Sequence, residues 1–169
     1  MLDDAAIERF SRQILLPEVG GRGQERLCAT VATLRGDGDA AAFAATLLQA
    51  AGMRVVVEAG APGRLEASLD GAGVIGVIGE ARAMVATLVG RPCVCCASSA
   101  VPPAPEDVTL HPAETQTLGA LVAAETLRAA LGLAHEGRVQ EVDLARGVFT
   151  ARPLPATPAC PDCPPAPGA

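Results

Sequence analysis

A chain of 169 residues, half of them apolar, can bury one core of ordinary domain size, and no second domain is expected. Nineteen acids against thirteen lysines and arginines leave a net charge of −6, which argues against a nucleic-acid backbone or an anionic membrane as partner, since both are gripped by clustered cations. Acids stand at Asp3 and Asp4, where a secretory signal carries basic residues, so the expected compartment is the cytoplasm; there the six cysteines read as thiols, metal ligands or redox groups.

Along the chain, Ala6, Ile7, Phe10, Ile14 and Leu15 fall close to helical spacing over 5–16, and Pro17 ends that segment because its ring clashes with a continuing helix. Gly20, Gly21 and Gly23 predict a flexible turn. Residues 29–34 read as a buried strand, 35–39 as a glycine turn, 40–51 as an alanine-rich helix closed by Gly52, and 54–58 as a second strand. That order is a βαβ unit. After a Gly/Ala/Pro loop at 59–64 the pattern is read again as strand 74–78, helix 80–89 and strand 93–97. Three prolines make 98–107 a loop. Residues 113–131 give the longest helix, with Leu118, Leu121, Val122 and Leu127 to Leu131 as an apolar stripe and Glu125 on its polar edge. Residues 138–143 and 147–154 alternate as an antiparallel hairpin, and a proline-rich tail begins at Pro155. The expected fold is α/β: a mostly parallel, doubly wound, Rossmann-like sheet with flanking helices and a C-terminal antiparallel hairpin, its ligand crevice at the carboxyl ends of the strands. One domain spans 1–154, with 1–27 as a helical arm, and 155–169 is a tail.

Gly36-Asp37-Gly38-Asp39 lies between a strand and a helix, where a Rossmann-type fold holds phosphate on backbone N–H groups and the positive helix N-terminus. Gly36 and Gly38 are therefore candidate nucleotide contacts, joined by Glu58 at the end of the next strand, where an acid would hold a ribose hydroxyl. Asp37 and Asp39 oppose this, because carboxylates repel phosphate. The competing reading is a tight turn with an acidic N-cap. Cys160-Pro-Asp-Cys163 is half of a tetrahedral zinc site. Cys93 and Cys96 have the same spacing, but on a strand Cys93 and Cys95 share one face and Cys96 the other. His111 and His135 are expected at the surface, and Cys28 in the core.

Two stretches carry a family likeness. ERFSRQILLPEVGGRGQERL (Glu8 to Leu27) runs into CATVATLRGDGDAAAFAATLLQAAG (Cys28 to Gly52), and LGALVAAETLRAALGL (Leu118 to Leu133) is followed by GRVQEVDLARGVFTARPLPATPACPDC (Gly137 to Cys163). In that order they resemble the ThiF/MoeB/HesA family, bacterial relatives of the ubiquitin-activating enzymes that adenylate the C-terminus of small ubiquitin-like sulfur carriers. The resemblance implies a reduced ThiF-type fold. In Arg9-Phe10-Ser11-Arg12-Gln13 it implies an arm from which an arginine, Arg12, reaches the nucleotide of the partner subunit in a dimer. It gives Cys160 and Cys163 the place of the family's terminal zinc pair. It aligns Pro92-Cys93-Val94-Cys95-Cys96 in two ways: as the family's Pro-Cys-x-x-Cys knuckle, which with Cys96 completes a four-cysteine site, or as a strand after Gly90-Arg91-Pro92. The strand is the preferred expectation.

The middle of the chain is too short for the rest of the family's apparatus. Its glycine turn keeps two of four glycines, its Asn-x-x-Arg-Gln segment and lysine have no counterpart, and between Glu58 and Val74 only Arg64 is basic. Glu80 is the sole acid near the magnesium position. Since adenylyl transfer rests on such positioned charges, the expected function is non-catalytic. The chain would bind a protein or peptide (a ubiquitin-like carrier tail, a modified-peptide leader or a full-length paralogue) as a homo- or heterodimer, without a cofactor. Two alternatives stand beside it: an active ATP-dependent adenylyl- or sulfurtransferase completed by a partner subunit, and a small zinc or thiol module.

Overall fold

The computed structural model describes residues 1–36, 38–90, 92–98, 100–104, 110–134, 136–154, 157, 160, 162 and 163. Asp37, Arg91, His135 and most of the tail after Leu154 lie outside the described residues. The elements are α1 (Asp4–Arg9), α2 (Ser11–Ile14), α3 (Gly20–Ala29), β1 (Val31–Gly36), α4 (Gly38–Ala50), β2 (Arg54–Ala59), β3 (Arg64–Leu69), β4 (Ala72–Gly79), β5 (Arg82–Val89), α5 (Val94–Ser98), α6 (Pro112–Ala130), β6 (Arg138–Asp143) and β7 (Val148–Pro153). The strands form one sheet in the order β2-β1-β3-β4-β5-β6-β7.

The α/β class, the flanking helices and the C-terminal hairpin are as expected, but the sheet is mostly antiparallel rather than mostly parallel. Only β1 and β2, joined by the crossover helix α4, run parallel. Every other neighbouring pair is antiparallel. Connection length is the reason: β3 to β4 turns at Asp70-Gly71 and β4 to β5 at Glu80-Ala81, and two residues can join only antiparallel neighbours. The second turn puts Glu80 (φ 50°) and Ala81 (φ 59°) in the left-handed region that such a hairpin requires. Glu114, in the first turn of α6, braces it: its Oε1 accepts from Ala81 N at 3.2 Å and its Oε2 from His111 N at 2.9 Å. His111 is exposed, as expected.

Four segments depart from the reading above. Residues 20–23, expected as a flexible turn, open the helix α3. Residues 82–89, expected as a helix, form β5. Residues 93–97, expected as a strand, are helical from Val94 on, in α5. Residues 64–69, given no element, form β3. β5 misleads because both of its faces are covered, so its apolar run does not alternate and cannot be told from a helix by period. On one face Ala83 and Val85 join Leu34, Leu65, Val74 and Ile78 against the alanines of α4 and Leu118 and Val122 of α6. On the other, Ala86 and Leu88 join Ile75, Val77 and Val139 under Ala97, Val101 and Leu154.

Helix α6 is clamped to the sheet by a charge on the same face as Leu118 and Val122. Glu125 is 2 % exposed. Its carboxylate accepts from Thr87 Oγ1 at 2.6 Å, from Arg138 Nε at 3.0 Å and Nη2, and from Gln140 Nε2 at 3.3 Å, with Arg128 Nε at 3.5 Å. One side chain thus joins α6, β5 and β6. The N-terminal arm rests on its own chain: Phe10 is buried and Gln13 Nε2 donates to Ala50 O at 3.3 Å, at the C-terminal end of α4. Among the described residues no helix is long and apolar enough to cross a membrane.

Candidate metal centre

β5 ends at Val89 and α5 begins at Val94, with Cys93 just before the helix and Cys96 within it. Ala97 N donates to Cys93 O at 3.1 Å and closes the first turn. A three-residue step around a helical turn sets both thiols on one side. The strand expectation for 93–97 is therefore overturned: the segment is helical from Val94. From the tail, Cys160 and Cys163 close a second short turn, with Cys160 N on Thr157 O at 3.2 Å and Cys163 N on Cys160 O at 3.4 Å.

The two turns face each other. Cys93 Sγ lies 3.9 Å from Cys96 Sγ and 3.6 Å from Cys160 Sγ, and Cys96 Sγ lies 3.5 Å from Cys163 Sγ. All four sulfurs fall within 4.8 Å of one another. A tetrahedral zinc with bonds of about 2.3 Å needs sulfurs about 3.8 Å apart, close to the three separations above, so the set could hold zinc. Cys96 and Cys160 are buried, while Cys93 and Cys163 are half-buried.

The electrostatics ask for a cation. Thr157, through its side chain and its backbone N–H (3.2 Å from Sγ), draws the Cys96 thiol down to about 6 against the opposing effect of burial. At Cys160 the backbone N–H of Asp162 also pulls down, but burial and the neighbouring Cys93 and Cys96 thiols prevail and push its pKa up. One thiolate forms readily and makes the next costly, a conflict that a bound dication removes. Thr157 is the contributor that sequence reasoning missed; its N–H reaches Cys96 only because the tail folds back. Cys95 is exposed and stands outside the four-sulfur set, within 4.8 Å of Cys160 Sγ and an Asp162 oxygen. Cys28 is half-buried beside Gln24.

Three of the candidate nucleotide residues lie at the carboxyl ends of β1 and β2, and Arg12 lies apart from them. Gly36 ends β1, Gly38 opens α4 at the surface, and Glu58 is exposed on β2 in register with Arg35. Asp39 is exposed in the first turn of α4. Arg12 is exposed beside the opposite end of α4, and a helix of 13 residues separates the two ends by about 20 Å. Gly36 has a structural reason to be glycine. The chain passes from Gly60 on one side of it to Arg64 on the other, crossing the carboxyl end of β1 in residues 61–63. A Cβ on Gly36 would strike the Arg64 carbonyl and stand 2.8 Å from Leu65 Cα, and one on Gly60 would stand 2.6 Å from Gly36 Cα. Gly36→Ala is expected to lower stability by about 1–3 kcal/mol in urea unfolding, the usual cost of overpacking. A loss under about 0.5 kcal/mol would show that β3 yields and that the close approach is not needed.

A scan against protein-family models finds no match, and a search of curated proteins finds none.

Proposed function

We propose that this chain is a non-catalytic, zinc-stapled relative of the ThiF/MoeB/HesA family that works in the cytoplasm by binding a protein or peptide: a ubiquitin-like sulfur carrier, a modified-peptide leader or a full-length paralogue. The observation that carries this reading is the closure of Cys93, Cys96, Cys160 and Cys163 at tetrahedral spacing, 67 residues apart in sequence, which is what the knuckle alignment implies. Zinc held by four cysteines has no open position for water or substrate, so its contribution is to fasten the tail to α5. The carboxyl end of β1, where a phosphate would sit, is crossed by backbone at contact distance. Arg64, one of two arginines beside that end with Arg35, is engaged by Glu66 at 2.6 Å. These placements support a binding protein over an adenylating one.

The test is ATP–pyrophosphate exchange alongside binding, using the full chain and a ubiquitin-like carrier ending in Gly-Gly. The carrier is expected to bind with no exchange above the blank. Exchange that disappears in Glu58→Ala or Gly38→Val would overturn the reading. Exchange that appears only when a second subunit is added would favour the active alternative.

A further inference from the structure

Strand β2 is an end of the sheet: its inner edge pairs with β1, and no described residue pairs with its outer edge. Arg54 N donates to Thr30 O at 3.1 Å and Gly60 N to Gly36 O at 3.1 Å, so residues 54, 56, 58 and 60 turn their amides inward. The pleat turns the alternate residues the other way, and Val55, Val57 and Ala59 present N–H and C=O outward. Proteins usually blunt such an edge with charged side chains, proline or a bulge. Arg54-Val55-Val56-Val57-Glu58 has charges only at Arg54 and Glu58 and no proline, and Val56 and Val57 are 50 % and 51 % exposed.

We propose that this edge is an interface with a second copy of the chain, in which the two β2 strands pair antiparallel about a two-fold axis through Val56 and the sheet runs on through the dimer. Three features agree on that register. Val55 then faces Val57 of the second copy, and Val57 faces its Val55; all four residues point their amides outward, so these are the hydrogen-bonded pairs. Residues 54, 56 and 58 lie on one face and meet 58, 56 and 54 of the other copy, so the two helix layers stay on the same side. Arg54 then stands opposite Glu58 twice, in the non-hydrogen-bonded positions where side chains come closest. Neither residue makes an ion pair within the chain among the described residues. A shift of two residues either way sets Glu58 or Arg54 against Val56 and removes both ion pairs. The contact is self-complementary, as a closed two-fold dimer requires. It does not depend on the family reading.

A pairing of six-residue strands is smaller than a standard interface, so dissociation in the micromolar rather than the nanomolar range is expected. Sedimentation velocity on the full chain over a dilution series tests it. Arg54→Glu and Glu58→Arg each place like charges opposite one another twice and are expected to weaken the dimer by about tenfold or more, while the double reversal restores it to within about threefold. Both positions are exposed, so the fold survives and far-UV circular dichroism should not change. A native chain that is monomeric at every concentration, single reversals that leave the dimer unmoved, or a double reversal as weak as the singles would overturn the proposal. So would a dimer that is lost on deleting residues 1–16 yet indifferent to both reversals, because the contact would then lie on the N-terminal arm.

Discussion

Protein purified without chelator is expected to carry one zinc per chain, and Cys93→Ser and Cys163→Ser are each expected to lose it. Three of the sulfur–sulfur separations, 3.5–3.9 Å, are already close to the edge of a ZnS4 tetrahedron, with a backbone N–H from Thr157 on one of the thiols. Losing the ion also frees the tail and α5, which cover Ile75, Val77, Ala86 and Leu88 through Ala97, Val101 and Leu154. With free zinc about a thousandfold above its dissociation constant, the stabilisation is about 4 kcal/mol, or on the order of 10 °C in Tm for a chain of this size. Metal analysis of the three proteins and melting curves with and without EDTA measure both effects. Zinc retention should fall with acid, since thiolates rather than thiols are the ligands. Native protein with little zinc, or a Cys163→Ser variant that melts with the native chain, would show that the cluster is only a meeting of thiols.

The second large effect is expected at the Glu125 clamp. Burial alone would push the Glu125 carboxyl up, but hydrogen bonds from Arg138 and Thr87 and the charges of Arg138 and Arg128 outweigh it and hold the pKa below its ordinary value of 4.5. A depressed carboxyl contributes stability that is fully present above the ordinary value and is lost as pH falls through the native one. Arg138→Ala leaves that carboxylate buried and short of its principal partner, for an expected loss of about 3–5 kcal/mol at neutral pH. Glu125→Gln keeps the shape and loses less, and its gap from the native protein should narrow as the pH drops below 4.5. Urea unfolding at pH 7 and near pH 4 gives both comparisons. A loss under about 1 kcal/mol in Arg138→Ala at pH 7 would mean that water reaches the carboxylate and the clamp is weak.

Much of the architecture can be read from local chemistry, and its failures have local causes. The helix closed by Gly52, the strand at 54–58, the long helix and the last hairpin each carry their own signal in period or in turn residues, and each is present. Residues 80–89 carry no usable signal because Ala83, Val85, Ala86 and Leu88 meet apolar partners on both faces. The candidate metal centre was half legible. Two Cys-x-x-Cys spacings are visible in sequence, but whether Cys93 and Cys96 share a side depends on one turn of helix that five residues do not announce.

What the amino-acid sequence by itself determined is the α/β class, the one crossover helix and the pairs of thiols, because these rest on periodicity and spacing within a few residues. The meeting of residues 93 and 96 with 160 and 163, the ion pair of buried Glu125 with Arg138 and the crossing of β1 at Gly36 were decided by tertiary structure alone. Each joins segments far apart in the chain or depends on which neighbour covers a face. No local pattern encodes either, and only the folded sheet brings them together.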